Sequence, residues 1–263
     1  MKGLDLPNLR PEEIFSEASI GKGYLRAMGI APWRQLQPDF SPEMLGRILS
    51  SYYGGRSEVR IRRETRQVIL CDFLSMYPTV CTLMRLWRFV TASGLRQRRA
   101  TQKTRAFLAK VTLADLQSPE LWPQLATLVR VKPDGDIFPV RATYEADAMA
   151  TIGANRLSSE TPLWFTLADC IASKLLTGKA PKILEAIAFE PGPIQSDLCP
   201  INVSGNPQYR VDPVKADFFQ RVIELRKATK DRMKGATGDK LAALDSEQHA
   251  LKICANSTSY GIW

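Results

Sequence analysis

The sequence predicts an α+β chain, and three observations carry that prediction. An apolar run at 68–71 and two strand-like runs at 128–131 and 137–142, the latter two joined by a turn, read as strands. The first fifty residues are mixed in polarity and read as helical. The last fifty carry an apolar stripe with clear start and stop signals and read as an antiparallel pair of helices.

Taken in order, the helical lead contains Ser19-Ile20-Gly21-Lys22-Gly23, whose glycines suggest a turn but lack the spacing of a phosphate-binding loop. Ser51-Tyr52-Tyr53-Gly54-Gly55-Arg56 follows. Two adjacent glycines either let the backbone approach a ligand closely or make a plain turn before a strand, and these residues alone favour the turn. Val59 and Ile61 alternate with charged residues, Glu64-Thr65-Arg66 breaks the pattern, and Val68-Ile69-Leu70-Cys71 reads as a buried strand. That is the pattern of a β-hairpin delivering Asp72, a carboxylate that a rigid sheet can aim at a metal ion. Phe73-Leu74-Ser75-Met76-Tyr77-Pro78 then turns into a helix, with Pro78 suited to its first turn. An acid at a strand end, a small hydroxyl, an aromatic ring and a helix start are the parts needed to hold a metal-bound triphosphate beside a sugar.

From Phe73 to Ala114 the chain has no acidic residue, while Arg85, Arg88, Arg96, Arg98, Arg99, Lys103, Arg105 and Lys110 fall in that window. A solvated helical face accounts for many charge runs; the complete absence of acids here points instead to contact with a phosphate backbone. Ser118-Pro119-Glu120 is expected to open a short helix. Pro133-Asp134-Gly135 is a turn between the strand-like runs 128–131 and 137–142. Thr161-Pro162 caps a helix that stops at Gly178. Pro191-Gly192-Pro193 and Ser204-Gly205-Asn206-Pro207 mark loops. Asp212-Pro213 starts a helix with Phe218, Phe219, Val222, Ile223 and Leu225 on its apolar side, and Gly235 stops it. A second helix runs from about Asp239 toward Tyr260 with Leu241, Leu244, Leu251 and Ile253.

Composition removes several classes of function. A net charge of +9 over 263 residues favours a polyanionic partner, nucleic acid or an anionic membrane. No apolar run is long enough to span a bilayer, and the start of the chain lacks the apolar core of a signal peptide, so a cytoplasmic setting with no membrane partner is expected. Five cysteines without a C-x-x-C pair argue for reduced thiols and against zinc. A single histidine, His249, argues against a Ser-His-Asp hydrolase and against a multi-histidine centre. Any metal should therefore be hard and oxygen-ligated, Mg2+ or Mn2+.

On the first helix of the C-terminal pair Arg226 and Lys230 are four apart and share a face; on the second, so do Lys252 and Asn256. Three cations and an amide on a helical pair make a clamp for a triphosphate. The chain order is Tyr-x-Gly-Gly, Asp-Phe-x-Ser-Met-Tyr-Pro, Arg-x-x-x-Lys, then Lys-x-x-x-Asn-Ser. This order resembles the polymerase region of family B DNA polymerases, from about residue 50 to the C-terminus and most weakly over 95–210. Asp72 to Pro78 is similar to the family's motif A. Leu251-Lys252-Ile253-Cys254-Ala255-Asn256-Ser257 with Tyr260-Gly261 is similar to its motif B, and Arg226-Lys227-Ala228-Thr229-Lys230 to the preceding fingers helix.

The resemblance implies a lead-in over 1–50, a first part of a palm sheet over 51–94, palm continuation with an inserted subdomain over 95–211, and helical-hairpin fingers over 212–263. It implies primer-template DNA and a dNTP as partners, and transfer of a deoxynucleotide to a primer 3′-hydroxyl with release of pyrophosphate. Asp72 would bind the magnesium ions, with the Phe73 carbonyl as a further ligand. Backbone amides around Leu74, Ser75 and Met76 would receive phosphates. Tyr77 would lie under the sugar and exclude a 2′-hydroxyl, which disfavours an RNA-making enzyme. Arg226, Lys230 and Lys252 would neutralise the triphosphate, Lys252 also assisting pyrophosphate departure; Asn256 and Tyr260 would support the nucleotide pocket. Tyr52, Gly54 and Gly55 would contact the template, with Arg98 and Arg99 on the DNA backbone.

Three departures shape the expectation. Asn256-Ser257-Thr258-Ser259-Tyr260-Gly261 has two residues between serine and tyrosine where the family has one, and one extra residue turns a helix by about 100°, moving Tyr260 away unless a bulge absorbs it. The family's motif C, a Tyr-x-Asp-Thr-Asp-like hairpin bearing the second metal-binding aspartate, does not occur. The chain is therefore expected to be part of a longer or split enzyme, inactive alone, with a second polypeptide carrying motif C. The long interval between Asp72 and Arg226 implies an insertion, placed as in protein-primed phage and plasmid polymerases, which makes a protein primer a further candidate partner. The alternative is a nucleic-acid-binding protein on a scaffold without catalysis.

Overall fold

A computed structural model describes residues 12, 16–55, 61–73, 75–143 and 150–259. Val59, Leu74, Tyr260 and Gly261 lie outside the described residues. The fold is α+β, 46% helical and 20% strand, with helices and antiparallel sheets coexisting. In chain order the α-helices are α1 (Glu17–Ala27), α2 (Trp33–Leu36), α3 (Pro42–Ser50), α4 (Met76–Leu83), α5 (Trp87–Val90), α6 (Thr101–Lys110), α7 (Leu167–Thr177), α8 (Phe218–Met233) and α9 (Gly238–Ser257). The strands are β1 (Leu95–Arg99), β2 (Thr127–Val131), β3 (Asp134–Ala142), β4 (Thr151–Ser158), β5 (Leu163–Thr166), β6 (Ile183–Pro191), β7 (Ile201–Asn202) and β8 (Arg210–Val211). The chain divides into two compact units: Met1–Pro38, Asp72–Leu95 and Pro191–Trp263 form the first, Asp39–Cys71 and Arg96–Glu190 the second.

The second unit is built on a four-stranded sheet ordered β1-β6-β2-β5. β2 pairs antiparallel on both sides, with Val129 opposite Phe165 of β5 and Ala186 of β6. Its buried residues Leu128, Val129 and Val131 continue into Phe165, Leu167, Ile171 and Ala186, and Phe138 stacks on Phe165 at 4.1 Å. β3 and β4 form a long antiparallel ladder. At the edge, β1 exposes Arg96, Arg98 and Arg99, charges that discourage edge-to-edge pairing.

The helix expected from Thr161-Pro162 starts later, because Leu163–Thr166 is drawn into the sheet as β5. Thr166 then caps α7: its hydroxyl accepts from the Asp169 amide, and Asp169 accepts from the Thr166 amide. The stop at Gly178 is as expected, with φ +75°. Around Ser118-Pro119-Glu120 the chain makes only short 3-10 turns, Asp115–Gln117 and Trp122–Leu125.

The first unit packs α1, α4, α8 and α9 around a core of Tyr24, Met28, Trp87, Phe218, Phe219, Val222 and Leu251. Trp87 stacks on Phe218 at 5.8 Å, meets Phe219 edge-on at 5.7 Å, and donates its indole N–H to the Pro213 carbonyl at 2.9 Å. α8 and α9 form the antiparallel hairpin, and Gly235 between them has φ +91°. Residues 212–216 are a turn, held by the Asp212 carboxylate and carbonyl, so α8 begins after its N-cap Asp217 and not at Pro213. The turn expected at Gly21-Lys22-Gly23 is instead the middle of α1. A Cβ on Gly21 would lie 2.6 Å from the Ser257 carbonyl, so the glycine serves close helix–helix approach, which its sequence neighbours do not reveal.

The largest correction concerns residues 61–73. They form no strand, so the buried strand at Val68-Ile69-Leu70-Cys71 and the described half of its hairpin do not exist. Val68, Ile69 and Leu70 are 80%, 91% and 96% exposed. A strand needs a neighbour to take up its backbone groups, and no described strand pairs with this segment. Among the described residues no helix is long and apolar enough to cross a membrane.

Candidate functional site

Asp72 is exposed and is aimed by no sheet; it lies just ahead of α4. Ser75 caps that helix in the left-handed conformation, φ 47° and ψ 53°. For a residue with a Cβ this costs about 1–2 kcal/mol, so something must hold it. Its hydroxyl accepts a hydrogen bond from Arg226 Nη1 of α8 at 2.8 Å, and its carbonyl accepts from the Thr79 amide at 3.0 Å. Arg226 is only 8% exposed, and its Nε points at Gln248 Oε1 of α9, 3.4 Å away. One guanidinium thus ties α4, α8 and α9 together. Burial lowers the Arg226 pKa from its ordinary value, and the Asp72 carboxylate opposes that shift; the group remains a cation at neutral pH.

Lys230 is one turn from Arg226 on α8, and Lys252 one turn from Gln248 on α9; both are exposed, and neither has an acidic partner among the described residues. Because the helices are antiparallel and Arg226 meets Gln248, the two lysines lie to either side of Arg226 along the hairpin, each offset by about 6 Å. Asn256 is half-buried one turn past Lys252. Tyr77 and Met76, on the first turn of α4, are 44% and 46% exposed, which excludes a core role for that tyrosine. α9 ends at Ser257, with the Thr258 amide donating back to the Cys254 carbonyl, just where the extra residue of the motif falls.

The residues expected on DNA lie in the second unit. Tyr52 is 69% exposed, and its carbonyl accepts from the Arg141 guanidinium. That guanidinium sits 4.7 Å over Tyr53, whose ring stacks on Phe165. Gly54 takes the left-handed conformation, φ +78°, and a Cβ built there would meet only the Ile152 side chain, at 3.9 Å; residues 52–55 form neither helix nor strand. Gly55 follows it, exposed. Arg98 is paired with Glu190 at 2.7 Å, and Arg105 is spent on the Ile183 carbonyl, whereas Arg99 has no acidic partner among the described residues.

For a metal, the donor set decides. Among the described residues no three His, Cys, Asp or Glu side chains converge. Asp72 and the Phe73 carbonyl fit an ion that arrives on a triphosphate, since magnesium keeps waters and uses one or two carboxylates plus substrate phosphates; they do not fit a resident ion.

Two groups were missed from the sequence. Gln248 stands four residues before Lys252, and that spacing was the available signal. Glu247, beside it, accepts from Thr229 Oγ1 at 2.9 Å, from Arg232 Nη2 at 2.5 Å and from the Tyr209 hydroxyl. Burial opposes the Glu247 charge, but the bonds from Tyr209, Thr229 and Arg232 outweigh it and hold the carboxyl below the usual range. This latch ties α9 to α8.

No family model, no curated protein and no solved structure matches the chain.

Proposed function

We propose that this chain is the nucleotide-binding part of a DNA-directed DNA polymerase similar to family B, acting on primer-template DNA and dNTP. One observation carries the reading: Arg226 reaches Ser75 across 151 positions of sequence, which joins the two segments that resemble motif A and the fingers helix. In this reading the triphosphate lies along Lys230, Arg226 and Lys252, which neutralise it while burial of the guanidinium fixes its position. Lys252 holds the departing pyrophosphate, and Tyr77 bounds the sugar and rejects a 2′-hydroxyl. Mg2+ or Mn2+ bound with the triphosphate at Asp72 and the Phe73 carbonyl would supply charge stabilisation at the reacting phosphate. A further carboxylate must come from a second polypeptide or another part of a longer chain, so no polymerisation is expected from these residues alone.

Calorimetric titration with dATP, dADP and dAMP tests the reading. Affinity should fall with each phosphate removed, and Lys252→Ala or Lys230→Ala should weaken dATP binding about tenfold while leaving dAMP nearly unchanged. Equal affinity for all three nucleotides would overturn it. That no three His, Cys, Asp or Glu side chains converge among the described residues favours a second reading, nucleic-acid binding without catalysis, in which DNA binds and dATP does not.

A further inference from the structure

The first unit holds a cavity of about 200 Å3 separate from the Arg226 site. Aliphatic side chains, Leu25, Ile30 and Val90, line it together with two aromatic rings, Trp33 and Phe89. Lys22 and Arg26, four apart on α1, complete the lining, and no acidic residue contributes. Both lysine and arginine are exposed and without an acidic partner among the described residues. Each aromatic ring also has a guanidinium near it, Arg34 at 6.0 Å from Trp33 and Arg88 at 5.0 Å from Phe89. The charged side chains that line the cavity, Lys22 and Arg26, are thus both cationic and flank an apolar interior.

The cavity is preorganised. Gln195 is 9% exposed and bonds to both of the segments that line it. Its Oε1 accepts from the Ala31 amide at 3.0 Å, and its Nε2 donates to the carbonyls of Val90 and Ala92 at 3.3 and 3.1 Å. Those three backbone groups are engaged by Gln195, which fixes the two lining segments against each other. The cavity's size falls below that of sites that enclose a whole small molecule, typically about 300–1,000 Å3. What it suits is one large apolar side chain with negative charge on either side.

We propose that this cavity docks an acidic peptide segment of a partner protein, seating one leucine or phenylalanine side chain among Leu25, Ile30, Trp33 and Phe89 while flanking carboxylates meet Lys22 and Arg26. The assignment is independent of the nucleotide reading.

The test is fluorescence anisotropy of a labelled peptide, Gly-Asp-Glu-Leu-Phe-Asp-Glu-Gly, titrated with the full chain near physiological salt. Saturable binding is expected with a Kd of about 10–100 μM. The double charge reversal Lys22→Glu/Arg26→Glu, at exposed helix positions, should weaken it at least tenfold with an unchanged thermal melt, and so should replacing Leu-Phe in the peptide by Ser-Ser. Filling the cavity by Ala31→Trp should do the same while leaving dATP titration untouched. Equal binding of the Ser-Ser peptide, indifference to the charge reversal, displacement of the peptide by a single-stranded oligonucleotide at equal charge concentration, or no saturable binding up to millimolar chain would each overturn the proposal.

Discussion

Val68-Ile69-Leu70-Cys71 is apolar throughout and Leu128-Val129-Arg130-Val131 is a run of equal length interrupted by a charge, yet they stand at opposite extremes of burial. In the first, three side chains are 80–96% exposed; in the second, Leu128, Val129 and Val131 are 5%, 0% and 0% exposed. Hydrophobicity does not explain the difference, because the run that carries a charge is the buried one. β2 has β5 on one side and β6 on the other, which take up its amides and carbonyls, and α7 packs on the same sheet. Residues 61–73 have no such neighbour among the described residues. An apolar run states a demand for burial; only backbone partners on either side turn it into a buried strand. The cationic row follows the same logic in polar terms. Arg226 is buried because Ser75 and Gln248 receive it, whereas Lys230 and Lys252 stay exposed and open to a ligand.

The contrast is sharpest when the same charge is placed in both runs. Val129→Asp should destabilise the protein by about 4 kcal/mol or more, because the carboxylate has no partner in the sheet core. Leu70→Asp should change stability by less than about 0.5 kcal/mol. Urea denaturation reads both, and equal losses would show that the 61–73 segment is covered in solution. A smaller effect separates two glycines. Gly21→Ala should cost about 1–3 kcal/mol, since the new Cβ meets the Ser257 backbone at 2.6 Å. Gly46→Ala, exposed on α3 with nothing within 4 Å, should stabilise by about 1 kcal/mol. Of similar size is the effect of the Glu247 latch. Its folded pKa is depressed, so its contribution is complete above the unfolded carboxylate value and is lost as pH falls through the lower folded one. Glu247→Gln should cost about 1–2 kcal/mol at pH 7 and flatten the stability decline measured as pH falls below the ordinary carboxylate range.

What could be read in the sequence was local. The apolar stripe of α8, the stop at Gly235 and the stop at Gly178 depend on residues within a turn or two, and they stand where expected. The starts of α7 and α8 did not follow their proline cues, because a proline marks where a helix is permitted, while β5 pairing and the Asp212 turn decide where it begins. Gly21 looked like a turn since its reason, the Ser257 backbone, lies far along the chain. The candidate site divides the same way. Asp72, Ser75, Tyr77, Arg226, Lys230 and Lys252 could each be named from spacing and resemblance. That Ser75 is the acceptor for Arg226, and Gln248 its second anchor, is a tertiary fact.

The most direct measurement is a double-mutant cycle on dATP affinity with Ser75→Ala and Arg226→Lys, each variant checked for an unchanged circular-dichroism spectrum. If the Arg226–Ser75 contact organises the triphosphate site, each single change should weaken dATP about five- to tenfold and the double no more than the worse single, a coupling of about 1 kcal/mol or more. Losses that multiply, or affinity that neither change alters, would contradict the account.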